Sequence, residues 1–267
     1  MVVSTSLARL GRSLQKRPGA SVKSEPIPLL DWPAAMRGAP NMLLRSALFS
    51  ASRKEAYLQC VEIYSQKPTC IRYTGARLNQ ADHDVWLTLL HLCREDITKP
   101  LHTSTYKLLT IQGKKDTGLG RKALYTRLAR LKATALEVSN SQQSYMGSLV
   151  DEVYRDCRTH HLVILLNSKL VALFGQHDVS FLDWTVRRQL TGKPLAQWVH
   201  GYYSSHSRPF PIRASTLLSM AGIDDRSIDS AEQNLRRALD SVTQACSLSK
   251  RKFEYEFKDG MVRVRHA

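Results

Sequence analysis

At 267 residues the chain has room for one large or two small domains, and 43% hydrophobic residues is the composition of a chain that folds. A formal net charge of +16 points to a polyanionic partner without separating DNA from RNA or an anionic membrane. No apolar run reaches the ~18 residues of a membrane span, and the five cysteines (Cys60, Cys70, Cys93, Cys157 and Cys246) form neither a C-x-x-C pair nor a zinc signature, so free thiols in a reducing cytosol are expected.

The first 24 residues carry Arg9, Arg12, Lys16, Arg17 and Lys23 without an acid. Gly11, Pro18 and Gly19 interrupt any helix, which favours a disordered basic arm over an organellar transit peptide. Five prolines within residues 1–40 extend that reading to a basic disordered tail and linker. It holds one apolar island, Ile27-Pro28-Leu29-Leu30-Asp31-Trp32-Pro33, which reads as a strap over the following domain or as a peptide that docks on a partner. Order is expected from Asn41, as the N-cap of a helix over 42–49. Residues 61–64 and 70–73 read as strands around Lys67-Pro68. A helix opening at Asp82 or Asp84 carries Val85, Trp86, Leu89, Leu90 and Leu92 into a core. Thr103 or Ser104 caps a short helix through Leu108, Leu109 and Ile111.

The loop 113–118 leads into the most informative stretch, residues 118–135. Leu124, Leu128, Leu131 and Ala135 recur on one helical face. Lys122, Thr126, Ala129, Arg130 and Ala133 point away, with Arg121 and Tyr125 at the flank, and no acid occurs before Glu137. A basic face studded with small residues, after a short helix and a glycine-bearing turn, is how a helix-turn-helix reader sits in a major groove. The bland alternative is a solvated charged face. Strand-prone pieces at 148–154 and 161–166 follow, where a wing would lie.

A second cycle repeats this order. Helices are expected at 184–190 and over Leu195, Trp198, Val199 and Tyr202, then a brief strand at 210–212 and a short helix at 214–220. After a turn at 221–225, a long helix places Ile228, Ala231, Leu235, Leu239, Val242 and Cys246 on one face. Ser230, Gln233, Arg237 and Gln244 face outward, with Arg236 alongside and Arg226 at the entrance. Phe253, Tyr255 and Phe257 then alternate with Glu254, Glu256 and Lys258 up to Asp259-Gly260, a two-residue hairpin turn. Folding there pairs Phe257 with Val262 and Tyr255 with Val264 on the core face. Outside, Glu256 meets Arg263 and Glu254 meets Arg265. Those pairs offset Arg263 and Arg265 and leave Lys250, Arg251 and Lys252, at the junction, as phosphate ligands.

No catalytic constellation survives scrutiny. A P-loop is absent, and Gly118-x-Gly120 lacks a third glycine. His160 and His161, adjacent on a strand, point to opposite faces and cannot share a metal. Tyr202 and Tyr203 near His206 and Arg208 lack the two arginines and the histidine, in matching context, of a tyrosine recombinase, and read as a packed aromatic helix end. Neither enzyme activity nor a cofactor is expected. The fold class is read as α+β: two tandem winged-helix (helix-turn-helix) domains, residues 41–178 and 179–267, behind the arm of residues 1–40. Two recognition helices in one chain fit successive major grooves about 34 Å apart, so a monomer covers about two turns of double-stranded DNA. The candidate DNA-binding residues are Arg121, Lys122, Tyr125, Thr126 and Arg130 in one groove, Arg226, Ser230, Gln233, Arg236 and Arg237 in the other, and Lys250, Arg251 and Lys252. Arginine suits guanine edges and Gln233 suits adenine. An RNA-binding adaptor would favour exposed aromatic platforms, whereas most aromatics here fall on core faces.

Residues 41–49 (N-M-L-L-R-S-A-L-F), 71–75 (I-R-Y-T-G), 127–135 (R-L-A-R-L-K-A-T-A), 170–174 (L-V-A-L-F) and 203–211 (Y-S-S-H-S-R-P-F-P) resemble the TrfA-type plasmid replication initiators. The resemblance runs in order from about Asp31 to the C-terminus. It implies a cytoplasmic, plasmid-encoded bacterial protein that binds direct repeats (iterons) at an origin as a monomer, with an inactive homodimer limiting copy number. It also implies melting of an adjacent A·T-rich region, binding of single-stranded DNA there, and recruitment of the host initiator DnaA, the replicative helicase and the sliding clamp. The family's clamp-binding peptide falls on Pro28-Leu29-Leu30-Asp31-Trp32, which makes Leu29, Leu30, Asp31 and Trp32 partner-binding candidates; the leading glutamine of such peptides is missing. The alternative is a winged-helix transcriptional regulator without origin-melting activity.

Overall fold

The computed structural model describes residues 26–139, 144–175, 178–223 and 228–266. The basic arm and Arg226 lie outside them. The first half runs β1 (Met36–Pro40), α1 (Asn41–Leu44), β2 (Phe49–Ser50), β3 (Tyr57–Ile63), β4 (Cys70–Ala76), β5 (Leu78–Asn79), α2 (Gln80–Leu92), β6 (Leu101–Ser104), α3 (Thr105–Ile111) and α4 (Gly118–Lys132). Strands β7 (Ala135–Ser139), β8 (Ser144–Gly147), β9 (Val150–Arg155), β10 (His161–Leu166) and β11 (Val179–Asp183) follow, with a 3₁₀ turn at Ser168–Leu173. The remainder is α5 (Trp184–Gln189), α6 (Pro194–Ser204), β12 (Ile212–Arg213), α7 (Ala214–Met220), α8 (Ile228–Leu248), β13 (Phe253–Lys258) and β14 (Met261–His266).

One order of elements occurs twice in this mixed α+β chain. Helix, strand, helix, helix, strand, strand describes α2-β6-α3-α4-β9-β10 and again α6-β12-α7-α8-β13-β14. In each set the three strands pair in the order first, third, second: β6-β10-β9 and β12-β14-β13, all antiparallel. The first set carries an insertion, since β7 and β8 leave α4 to join a four-stranded sheet, β3-β4-β7-β8.

Each set has its own hydrophobic core. Trp86, Leu89 and Leu90 of α2 pack with Leu108, Leu124, Leu128 and Ile164 in the first. Trp198, Val199, Leu217, Leu235, Leu239 and Val264 form the second. Helix α2 starts on a capping box: Asn79 Oδ1 accepts from the Ala81 and Asp82 amides, and Asp82 accepts from the Asn79 amide at 2.9 Å. A small cluster of Ala39, Leu44, Leu87, Leu182 and Trp184 lies apart from both.

Polar contacts tie the two cores together. Arg187 of α5, only 1% exposed, donates to Asp84 Oδ1 (2.7 Å), Gln80 Oε1 (2.9 Å) and the Gln197 carbonyl (3.0 Å). Gln197 Nε2 donates to the other Asp84 oxygen at 2.9 Å. The R-S-A-L-F and Y-S-S-H segments also meet here. Arg45 donates through Nε to Ser205 Oγ (2.9 Å) and through a terminal nitrogen to the Ser205 carbonyl. Trp198 Nε1 donates to the Ser46 carbonyl at 3.0 Å.

The C-terminal hairpin has the register read from the sequence. Tyr255 faces Val264, Phe257 faces Val262, Glu256 faces Arg263 and Glu254 faces Arg265. Asp259 and Gly260 take φ of 50° and 68°, as a two-residue turn of the twist-matched kind requires.

Other expectations are corrected. Order reaches back before Asn41: Met36–Pro40 is a strand antiparallel to Val179–Asp183, and the proline at its end needs no N–H. The helix expected over 42–49 stops at Leu44. There Ser46 Oγ donates to the Leu43 carbonyl and accepts from the Leu48 amide, and Phe49–Ser50 pairs parallel with Leu78–Asn79. Local hydroxyl bonding and strand pairing override the apolar run. Helix α4 ends at Lys132, so Ala135 is exposed in β7 and does not extend the leucine stripe. Helix α2 is capped by Asn79 and begins at Gln80, ahead of Asp82.

Asp84→Ala strands the Arg187 charge where water is excluded, and urea denaturation should show a loss of about 3–5 kcal/mol. A loss under about 1 kcal/mol would mean the pair is dispensable. Burial, with the Arg187 charge adding to it, holds the His200 imidazole down at about 3, against an ordinary 6.5. The unfolded chain therefore takes up this proton first. The contribution is complete above pH 6.5 and declines as pH falls toward 3, by about 1.4 kcal/mol per pH unit. Stability measured between pH 7 and 4.5 should fall less steeply in His200→Gln than in the parent; identical slopes would contradict this.

Candidate nucleic-acid interface

The short helix and turn before α4 are set by local chemistry. Ser104 Oγ caps α3 by accepting from the Lys107 amide at 3.2 Å. The turn passes through Gly113 at φ 71°, where an added Cβ would fall 2.6 Å from Arg188 Nε. Thr117 Oγ1 caps α4 by accepting from the Gly120 amide at 3.1 Å, and a Cβ on Gly120 would sit 3.0 Å from the Lys115 carbonyl oxygen. Leu124, Leu128 and Leu131 then fall into the core, which turns Leu119, Lys122, Thr126, Ala129 and Lys132 to the outside. Helix α4 contains no acid.

The cations named from sequence are not equivalent. Lys122 and Thr126 are exposed. Arg121 is held in a bidentate pair with Asp116, both contacts at 2.7 Å, and its hydrogen bonds keep that carboxyl below the usual range. Tyr125 lies under the Arg155 guanidinium, 4.2 Å from its ring centroid, with its hydroxyl 3.4 Å from His160 Nδ1. Arg130 turns inward: its side chain is 19% exposed and bonds the wholly buried Asp82 at 2.7 Å.

On α8, Ser230, Gln233, Arg236 and Arg237 are exposed along one side. The Arg236 guanidinium sits 3.5 Å above the Phe257 ring centroid, so the β13–β14 hairpin props this side chain. At the junction beyond α8, Lys250 is exposed, whereas Arg251 pairs with Asp183 (3.3 Å) and Lys252 with Glu254 (3.3 Å). Of the two outer hairpin pairs expected, Glu256–Arg263 forms and Glu254–Arg265 does not. Glu254 is spent on Lys252, and Arg265 has no ion pair among the described residues, while Glu256 and Arg263 stand 3.9 Å apart.

Two clefts that share lining residues border the two helices. Residues 52–56 run between them. Arg53 and Lys54 line one cleft with Asn234, Arg237 and Ser241 of α8. The same two residues line an adjoining cleft with Thr126 and Arg130 of α4. Arg53 donates to the Gly192 carbonyl (3.1 Å), and Lys193 donates to Ser241 Oγ (3.2 Å). Arg53, Lys54 and Arg155 carry no signal in the sequence alone. No periodicity marks the first two, and Arg155 reads as an ordinary strand residue until β9 packs beside Tyr125.

The 29–32 segment is a strap in this structure. Leu29 and Trp32 are buried, the Leu29 amide bonds the Arg94 carbonyl at 2.8 Å, and Trp32 Nε1 bonds His91 Nδ1 at 2.9 Å. Leu30 is half-buried and Asp31 exposed. Among the described residues no helix is long and apolar enough to cross a membrane, no acidic, histidine or cysteine cluster is fit for a metal, and all five cysteines are free.

A family profile described as TrfA protein matches residues 14–252. The plasmid replication initiator protein TrfA of Escherichia coli is 28% identical over an alignment of 245 residues that covers 86% of this chain and 63% of that relative. The chain thus spans less than two thirds of the relative's length. Two crystal structures of domains 2 and 3 of RctB superpose with TM-scores of 0.56 and 0.54. They cover 84% and 81% of this chain, and 97% and 93% of their own, at 11% and 12% identity. That is a likeness of fold.

Lys122→Ala should leave unfolding free energy within about 0.5 kcal/mol of the parent. Arg130→Ala, which leaves the Asp82 carboxylate without its partner, should cost about 1–3 kcal/mol, part of it recovered by adding Asp82→Asn. Equal stability of the two single variants would contradict the assignment of Arg130 to the interior.

Proposed function

The chain belongs to the TrfA family, and from that premise we propose that it is a plasmid replication initiator that binds origin iterons as double-stranded DNA, one monomer per repeat. The observation that carries this reading is a pair of clefts that share Arg53 and Lys54, one walled by Thr126 and Arg130 of the acid-free α4 and the other by Arg237 of α8. A single duplex laid across both clefts meets both helices at once, as entry into two successive major grooves requires.

In this proposal residues 41–178 and 179–267 are two winged-helix domains. The repeated element order and the matching sheet order support that division. Helix α4 reads through Lys122 and Thr126, with Arg121 and Tyr125 at its edge. Arg130 acts mainly by anchoring the helix to Asp82. Helix α8 reads through Ser230, Gln233, Arg236 and Arg237, Arg226 lies outside the described residues, and Lys250 leads Arg251 and Lys252 in gripping phosphate. Phosphate contacts position the protein while base-edge contacts specify the site.

The family resemblance extends the proposal to melting of the neighbouring A·T-rich region, capture of its single strand, and recruitment of DnaA, the replicative helicase and the sliding clamp. An inactive homodimer would withhold the monomer. Clamp docking through Leu29, Leu30, Asp31 and Trp32 requires the strap to leave its groove against α2.

Footprinting on cloned direct repeats from the same replicon, with permanganate probing of the adjacent A·T-rich DNA, tests the reading. Protection of about two helical turns per bound chain, together with permanganate-reactive thymines next to the repeats, is expected. Protection without reactive thymines would favour a transcriptional regulator, and protection that needs two chains per repeat would contradict monomer binding.

A further inference from the structure

Two major grooves one helical turn apart on the same face of a duplex are separated by a minor groove and its two bordering phosphate ridges. Whatever lies between α4 and α8 must face those ridges. In this chain that position is taken by residues 52–56, Ser-Arg-Lys-Glu-Ala, in which Arg53, Lys54 and Glu55 are exposed.

Resting on the reading that both helices enter one duplex, we propose that Arg53 and Lys54 form a third DNA contact, gripping the phosphates that border the minor groove between the two sites. Three observations carry it. First, Arg53 and Lys54 wall both clefts, so they stand between Thr126 of α4 and Arg237 of α8. Second, the segment is anchored at its start: the Ala51 amide donates to the Ala221 carbonyl (2.8 Å), and Ser50 Oγ accepts from the Ser52 amide (2.9 Å). Arg53 also reaches across to the Gly192 carbonyl. A rigid mount lets a cation meet phosphate without ordering a loop first. Third, neither Arg53 nor Lys54 has an ion pair among the described residues, unlike Arg121, Arg130, Arg251 and Lys252, and the neighbouring Lys193 and Arg237 add charge of the same sign. Glu55 is the one acid in the segment. The contact is made to the backbone, so it strengthens binding and sets the spacing of the two helices without reading bases.

The test uses the full chain and a labelled duplex carrying one direct repeat from the same replicon. Hydroxyl-radical cleavage, which reports sugars along the minor groove, should show a protected central block between the two outer regions. In Arg53→Ala with Lys54→Ala the central block should open while the outer ones persist at saturating protein. The slope of log affinity against log salt should become shallower by about 1.8, the share of two phosphates. Lys54→Ala alone, which keeps the Arg53–Gly192 contact, should lose about half of that. Both variants change exposed side chains, and an unchanged melting temperature serves as the folding control. Outer protection in the parent with a cleaved centre, or a central block that persists in the double variant with an unchanged salt slope, would overturn this contact and leave the two-helix reading standing. No protected region at all in the parent would overturn both.

Discussion

The ion pair between Arg187 and Asp84 is the constraint on which the arrangement of this molecule depends. Burying two charges is costly, and the cost is met only where geometry is good and the remaining donors and acceptors are satisfied. Here each is: the guanidinium reaches Asp84, Gln80 and a backbone carbonyl, and the second carboxylate oxygen is taken by Gln197. A hydrophobic contact between two cores tolerates sliding, whereas a buried, fully bonded guanidinium accepts one register. Arg45 on Ser205 and Trp198 on Ser46 repeat the same kind of directional contact a short way off. The segments that carry the family resemblance most clearly, R-S-A-L-F and Y-S-S-H, are therefore parts of a joint rather than of a reading surface.

Fixing the joint fixes where α4 and α8 stand. On a loose tether α4 and α8 would order themselves anew at each binding event, whereas a rigid joint presents them already spaced. The charge distribution follows the same division. Arg130 and Arg187 serve the interior, Arg121 and Arg251 are shared with acids, and Lys122, Lys54 and Lys250 are left to the solvent side. A net charge of +16 attracts polyanions in general, and of the cations just named only the last group is both exposed and outside the ion pairs of the described residues.

Parts of this were legible in the sequence and parts were not. The terminal hairpin was fully legible because Asp-Gly fixes the turn and strict alternation fixes the register, both local properties. The leucine stripe of α4 was legible for the same reason. The strand at 36–40 was hidden because its partner lies some 140 positions away and the prolines before and within it suggested a linker. The inward turn of Arg130 could not be read from α4 alone: on a helical wheel it faces outward, and only the placement of Asp82 on a helix 48 positions earlier draws it in. Arg53 and Lys54 became visible only once folding set them beside both helices. Periodicity reports which face is buried; it does not report which exposed cation has found an acid.

The claim that one rigid joint presents both helices to a single duplex is tested most directly by the distance between them. Spin labels at Lys132→Cys on α4 and Ser247→Cys on α8, both exposed and outside the proposed DNA contacts, in a chain whose native Cys60, Cys70 and Cys157 are replaced by serine, would give that distance with and without repeat-bearing DNA. One narrow distribution, unchanged when the duplex binds, is the predicted result. A broad distribution in the free protein, or one that shifts to a new mean on DNA, would contradict a preset spacing.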